Sequence, residues 1–254
     1  MFFSMIRLRR DVSPKEVAGL VRGDVYSLHK LVWNLFSDGP DRTRDFLYRY
    51  ESVKGWPTFY TVSAREPEDS SSLWEIHPKI YEPKLSKGER LAFKLRVNPI
   101  QHDKKERNEA EIEAWRASRK ERGLKEKLPT KKRVRHDVVM EAKTKLNFKE
   151  LPHDKRPHVA TLIQEAGVAW LKARETEQGF LVEDEKDKPA VRADGYCRHK
   201  LFKSKGAKPI TFSTLDFNGI LIVTAPDTFI NESLFNGIGP AKAFGCGLML
   251  VRRI

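Results

Sequence analysis

Tyr26 and His29 stand three residues apart in a segment with helical periodicity, and this pair is the first place where chemistry suggests itself. Histidine is the side chain whose unperturbed pKa lets it give or take a proton near neutral pH. Tyrosine can orient a phosphate or a hydroxyl, or assist as an acid. On a wheel of about 100° per residue, residues 24–36 place Leu31, Leu35, Leu28, Val32, Val25 and Phe36 on one continuous arc. His29, Trp33, Tyr26 and then Lys30 lie directly beside it, so Tyr26 and His29 are neighbours on the rim of an expected core. A rim position combines partial burial with access to substrate. A border pair that merely hydrogen-bonds to backbone has the same spacing, so the spacing alone leaves both readings open.

The second candidate is the run Gly237-Ile-Gly239-Pro-Ala-Lys242-Ala-Phe-Gly245-Cys-Gly247. Its glycines permit positive φ and a close approach of backbone to another group. A Walker A loop needs Gly-Lys followed by Ser or Thr, whereas Lys242 stands between Ala241 and Ala243. A dinucleotide fingerprint needs glycine where Lys242 stands, after a strand and opening a helix; this run follows a helix and precedes a strand. Two readings remain: a backbone N–H surface with one lysine, suited to an RNA backbone, or a tight turn that needs glycine for packing alone. Metal chemistry finds little support. His153 and His158 have no nearby Cys pair, no HExxH spacing occurs, and the carboxylates offer no two-metal cluster. His199 reads as an RNA contact. Cys197 and Cys246 are the only cysteines, too few for a disulfide framework or a four-cysteine zinc site. No metal and no other cofactor is expected.

The elements that must position these residues read as two similar series. Residues 2–9 form a strand, 23–36 a helix capped by Asp24 and stopped by Ser37-Asp-Gly-Pro40, and 46–51 and 58–64 two strands. A weakly defined segment, 73–81, precedes the alternating strand 90–97 (RLAFKLRV), which ends at Asn98-Pro99. After a charged stretch come a strand at 133–140, a helix at 161–175, strand-like runs at 179–182, 190–203 and 210–224, a helix near 227–235 and a last strand at 248–252. Each series fits the β-α-β-β-α-β order, so the expected class is α+β, with two tandem ferredoxin-like (RRM-like) domains. The expected boundaries are 1–100, a charged insertion or linker at 101–130, and 131–254.

The charge balance points to a partner. The 254 residues hold 48 Lys and Arg against 35 Asp and Glu, a formal net charge of +13 that favours nucleic acid or another acidic surface. Residues 101–135 carry 13 of those cations. Arg192, Arg198, Lys200, Lys203, Lys205 and Lys208 cluster around one expected hairpin and form a candidate RNA face, with an ordinary solvated basic face as the alternative. The longest apolar stretch, 219–225 (GILIVTA), is too short to cross a bilayer, and Arg7 interrupts any signal-type apolar start. A cytoplasmic location without membrane contact is expected.

Tyr26-Ser-Leu-His29-Lys-Leu-Val-Trp33, Asp45-Phe-Leu-Tyr48, Lys94-Leu-Arg96-Val-Asn98-Pro99, Val168-Ala-Trp170-Leu171 and the glycine-rich run together resemble the CasE family, the CRISPR repeat-processing endoribonuclease of the type I-E Cascade complex. The match runs in order over nearly the whole chain and is weakest at 101–157, where the charged insertion is longer than the family pattern. The resemblance implies tandem ferredoxin-like domains and cleavage of precursor CRISPR RNA at the base of each repeat hairpin. It also implies retention of the cut hairpin and assembly with other Cascade subunits. His29 matches the family's catalytic histidine and Tyr26 its tyrosine partner. Lys30, Arg96, Arg192, Arg198, Lys200, Lys203, Gly237, Gly239, Lys242, Gly245 and Gly247 are the expected RNA contacts. The rival reading is a non-catalytic RRM-like RNA-binding subunit, but no Lys/Arg-Gly-Phe-Gly-Phe-type stacking motif occurs.

Overall fold

The apolar arc around His29 forms α1 (Val25–Asn34) in a computed structural model that describes residues 1–13, 15, 25–36, 44–54, 56–125, 131–202, 206 and 208–254. The expected Asp24 cap and the stop at residues 37–40 lie outside the described residues. Beside α1 run β1 (Phe2–Leu8), β2 (Phe46–Val53), β3 (Trp56–Ser63) and β4 (Trp74–Ile80), antiparallel in the order β2-β3-β1-β4. Val32, Leu35 and Phe36 from the helix end share a buried cluster with Ile6, Phe46, Phe59 and Trp74. Burial of each such side chain contributes roughly 1.5–3 kcal/mol. The face of α1 that must carry the rim residues is thereby fixed against the sheet.

The strand 90–97 was expected to complete this first sheet, and it does not. As β5 (Arg90–Val97) it pairs with strands near the C-terminus, while Trp74–Ile80 supplies the fourth strand of the first sheet. The reason lies in β4 itself. It is an edge strand, exposed over most of its length, and although Trp74, Ile76 and Ile80 alternate with Glu75, His77 and Lys79, Pro78 within the run argues against a strand. Leu91, Phe93, Leu95 and Val97 of β5 are buried in the core of the second half.

Residues 100–156 separate β5 from the helix that follows it and form a compact unit of their own. Within it, β6 (Ile100–Glu106) and β7 (Lys131–Asp137) make an antiparallel hairpin, followed by α3 (Val138–Lys145), which Asp137 caps. The intervening α2 (Glu109–Glu121) starts with a capping box between Asn108 and Glu111 and buries none of its residues. The stretch expected as a linker with a new domain opening at 131 is thus structured across that boundary, because β7 finds its partner in β6.

The second half resumes with α4 (Val159–Lys172), which buries Leu162, Val168, Trp170 and Leu171. Next come β8 (Phe180–Val182), the two-residue strands β9 (Asp184–Glu185) and β10 (Lys188–Pro189), β11 (Val191–Leu201), β12 (Ile210–Val223) and β13 (Met249–Arg253). The sheet order is β11-β12-β5-β13, with β8 also paired to β12. Taking β5 as the first strand, this order repeats that of the first sheet, so the chain contains two ferredoxin-like domains, the second beginning at β5. Gly167 lets α4 lie close to this sheet: a Cβ there would stand 2.8 Å from Leu215 Cδ2 and 3.0 Å from Ala193 Cβ. No helix among the described residues is long and apolar enough to cross a membrane.

Candidate active site

α1 presents His29 half-buried, its ring 5.2 Å from Trp33 and 5.8 Å from Phe244. Phe244 belongs to a one-turn 3-10 helix, Lys242–Phe244, inside the glycine-rich run. Phe244 stacks on Phe212 of β12 at 4.8 Å, and Phe212 stacks on His199 of β11 at 4.8 Å. A ladder of rings therefore joins the first-half helix to the second-half sheet, and His29 stands at its end. Tyr26 occupies the first turn of α1; its side chain lies outside the described residues. Lys30 is exposed on the same helix.

His199 occupies the far end of the ladder. Its Nε2 is 2.9 Å from Thr214 Oγ1, and burial, then the nearby Arg96 charge, lower its pKa. Its stacking and hydrogen bonding make it a partner of Phe212 and Thr214.

Over much of its length the glycine-rich run packs within the chain, as the second of the two readings open in the sequence has it. Gly247 N–H donates to Arg96 O at 2.7 Å, and Gly245 N–H approaches Lys242 O at 3.4 Å. Both glycines are buried. Tyr48 pins the turn by donating its hydroxyl to Ala243 O at 3.1 Å, and its ring lies 3.2 Å from where a Gly245 Cβ would stand. Burial also holds the Tyr48 phenol well above its ordinary pKa, so it remains a donor. Gly239 lies against Trp170.

At Gly237, φ is +76°, and a Cβ would come 2.7 Å from Leu47 Cδ1 and 2.9 Å from Gly247 O. Gly88 has φ +85° but open space around its Cβ position. Gly237→Ala is therefore expected to lose about 3 kcal/mol from strain and overpacking together, and Gly88→Ala only about 1 kcal/mol from strain. Urea unfolding of the two variants measures the difference, and equal losses would remove the packing role.

The expected basic face is divided by a β-bulge. Asp194 pairs with Asp216 and Cys197 with Thr214, so β11 carries one extra residue between them. That residue shifts the alternation. Arg198 and Lys200 lie on the sheet face of Leu215 and Phe217, whereas Arg192 lies on the opposite face with Asp216 and His199. Arg192 is also ion-paired to Asp194 at 2.6 Å. Arg198 and Lys200 are exposed; Lys203 lies outside the described residues.

Arg96 is committed as well, grasping Asp216 in a two-pronged bond of 2.9 and 2.7 Å, which raises its pKa. Buried Arg49 reaches toward the same carboxylate at 3.7 Å while bonding Glu51 at 2.9 Å. Arg96 thus has a structural role at a position expected to contact RNA. Cys246, beside this cluster, is buried, which pushes its thiol up to about 12 and keeps it protonated.

Phe212, Phe244 and Tyr48 are the site residues that sequence reasoning missed. Each looks like ordinary core within its own segment, and only their pairing across the chain gives them a role. Among the described residues, no group of three His, Cys, Asp or Glu side chains is placed to hold a metal ion.

Residues 1–253 match the family model described as CRISPR associated protein. The CRISPR system Cascade subunit CasE of Escherichia coli is 28% identical over 228 residues, covering 89% of this chain and 90% of that protein. The CRISPR-associated endoribonuclease Cse3 of Thermus thermophilus is 25% identical over 237 residues, covering 89% of each. A solved structure of the CRISPR endoribonuclease Cse3 bound to a 19 nt RNA has a like fold, with a TM-score of 0.63 at 22% identity over 99% of this chain and 100% of that one.

Proposed function

Because this chain belongs to the family of CRISPR associated proteins, we propose that it is an endoribonuclease that cuts precursor CRISPR RNA at the base of the repeat hairpin. It stays on the cut hairpin and joins other Cascade subunits in the cytoplasm. The observation that carries this reading is the setting of His29. α1 is anchored in a core, yet holds the imidazole half-buried against a turn from the other half of the protein.

RNA brings its own nucleophile. The 2′-oxygen bonds to the scissile phosphorus, the bond to the 5′-oxygen breaks, the 2′-hydroxyl proton leaves and the departing oxygen gains one. The products are a 2′,3′-cyclic phosphate and a 5′-hydroxyl. The protein's task is alignment, proton transfer and stabilisation of the charge at phosphorus. His29 transfers a proton at this centre, and Tyr26, one helical turn earlier, positions the group or shares the transfer. The chemistry needs no metal.

Affinity comes from cations on the RNA backbone, Lys30, Arg198, Lys200, Lys203 and Lys242 among them. The N-terminal domain carries the catalytic helix, and the C-terminal domain carries β11 and the glycine-rich turn.

Incubation of the protein with a structured repeat RNA in excess EDTA tests this reading. Cutting at one position at the hairpin base, undiminished by the chelator, is expected. Tight binding without any cut would favour the non-catalytic RNA-binding subunit, and a cut restored only by added Mg²⁺ would overturn the metal-free mechanism.

A further inference from the structure

Arg44 and Lys242 face one cleft of about 480 Å³, bounded also by Asp45, Asn231 and Asn236. Both cations are half-buried. Neither has a hydrogen-bonded or ion-paired partner among the described residues. Of the carboxylates nearby, Glu232 accepts from Asn236 Nδ2 at 3.1 Å, and Asp45 accepts from Arg65 Nε at 2.8 Å through Oδ2 while its buried Oδ1 accepts no hydrogen bond among the described residues. Burial lowers the pKa of Arg44, and burial followed by the Arg44 charge lowers that of Lys242. Two like charges, partly stripped of water and set side by side, are an arrangement that an anion between them relieves.

We propose that this cleft is a phosphate seat, in which Arg44 and Lys242 together hold one phosphate of the bound RNA strand. A guanidinium grips two phosphate oxygens at once, and an ammonium supplies a compact second charge. Asn231 spends one amide hydrogen on Asp227 O and Asn236 one on Glu232, so each amide keeps a second hydrogen for the same anion. The turn that carries Lys242 also carries Phe244, whose ring packs against His29. Through this turn, in which Lys242 and Phe244 are two residues apart, the seat holds the strand relative to His29. Arg44 acts by positioning the strand. This inference rests on the endoribonuclease reading, since it takes RNA as the source of the phosphate.

The test uses repeat-hairpin RNAs that carry a 2′-deoxy sugar at the cut, so that they bind without reacting, and one neutral methylphosphonate at successive positions around it. Wild-type protein is expected to lose about ten- to a hundredfold in affinity at one such position, the size of a charge-assisted contact. In Arg44→Gln and in Lys242→Gln, each checked for folding by circular dichroism, that positional loss is expected to shrink toward none. Arg44→Lys should restore part of it. If every sensitive position keeps its full penalty in both folded glutamine variants, the seat is overturned while the endoribonuclease reading stands. If wild-type protein neither binds the blocked hairpin nor cuts the unblocked one, the endoribonuclease reading falls and takes the seat with it.

Discussion

His29→Ala is expected to cut a repeat-hairpin RNA at least about 100-fold more slowly than the wild-type protein, within the usual range for loss of an acid–base group. Hairpin affinity should stay close to wild type, because binding is carried by lysine and arginine cations on phosphates. The substitution also removes ring contacts with Trp33 and Phe244, so part of any loss is positional. His29→Phe, which keeps a ring in the ladder but cannot carry a proton, separates the two effects. In single-turnover cutting under saturating protein His29→Phe should keep the loss due to proton transfer, and any further loss in His29→Ala measures the positional part. Near-wild-type cutting by either one would remove His29 from the chemistry and leave its rim position a structural one.

The residues that place His29 were legible in the sequence to unequal degrees. The apolar arc of α1 was readable because burial on one side of a helix imposes a period on the chain, and Val32, Leu35 and Phe36 are indeed buried. β5 was readable as a strand for the corresponding reason, but its sheet was not, since alternation records burial and carries no information about which neighbour supplies it. Trp74–Ile80 was obscured by Pro78: its apolar residues alternate as a strand's do, but a proline inside so short a run argues against that assignment.

Pairings between distant segments were invisible in the same way. Neither Phe244 beside His29 nor Asp216 beneath Arg96 leaves a mark in its own stretch of sequence. The bulge at residues 194–197 had the largest consequence for the basic face, because one inserted residue sends Arg192 to the opposite side of the sheet from Arg198 and Lys200. The assignment of His29 and Tyr26 rests on the family resemblance; periodicity alone fits a border pair equally well. The glycines illustrate the converse. Their unusual conformations were foreseeable, with φ of +76° to +94° at Gly237, Gly239, Gly245 and Gly247, but what they approach is Leu47, Trp170, Tyr48 and Ile238 of this same chain.

A single 2′-deoxy sugar immediately upstream of the cut is expected to abolish cutting altogether and to leave binding intact. The reasoning is stoichiometric. If the 2′-oxygen is the atom that bonds to phosphorus, its removal leaves no nucleophile, however well His29 and Tyr26 are placed. The phosphates that carry the affinity remain, so the salt dependence of binding should be unchanged. The effect should exceed that of His29→Ala, since loss of a proton-transfer group slows a reaction whereas loss of the attacking atom removes it. A deoxy sugar one nucleotide to either side serves as the control and should be cut at close to the normal rate. The unmodified substrate should end in a 2′,3′-cyclic phosphate, seen as the mass of a dehydrated phosphate on the upstream fragment. Normal cutting of the deoxy substrate would make water the nucleophile. The protein would then need a group to activate that water, and the mechanism built on His29 and the 2′-hydroxyl would be wrong.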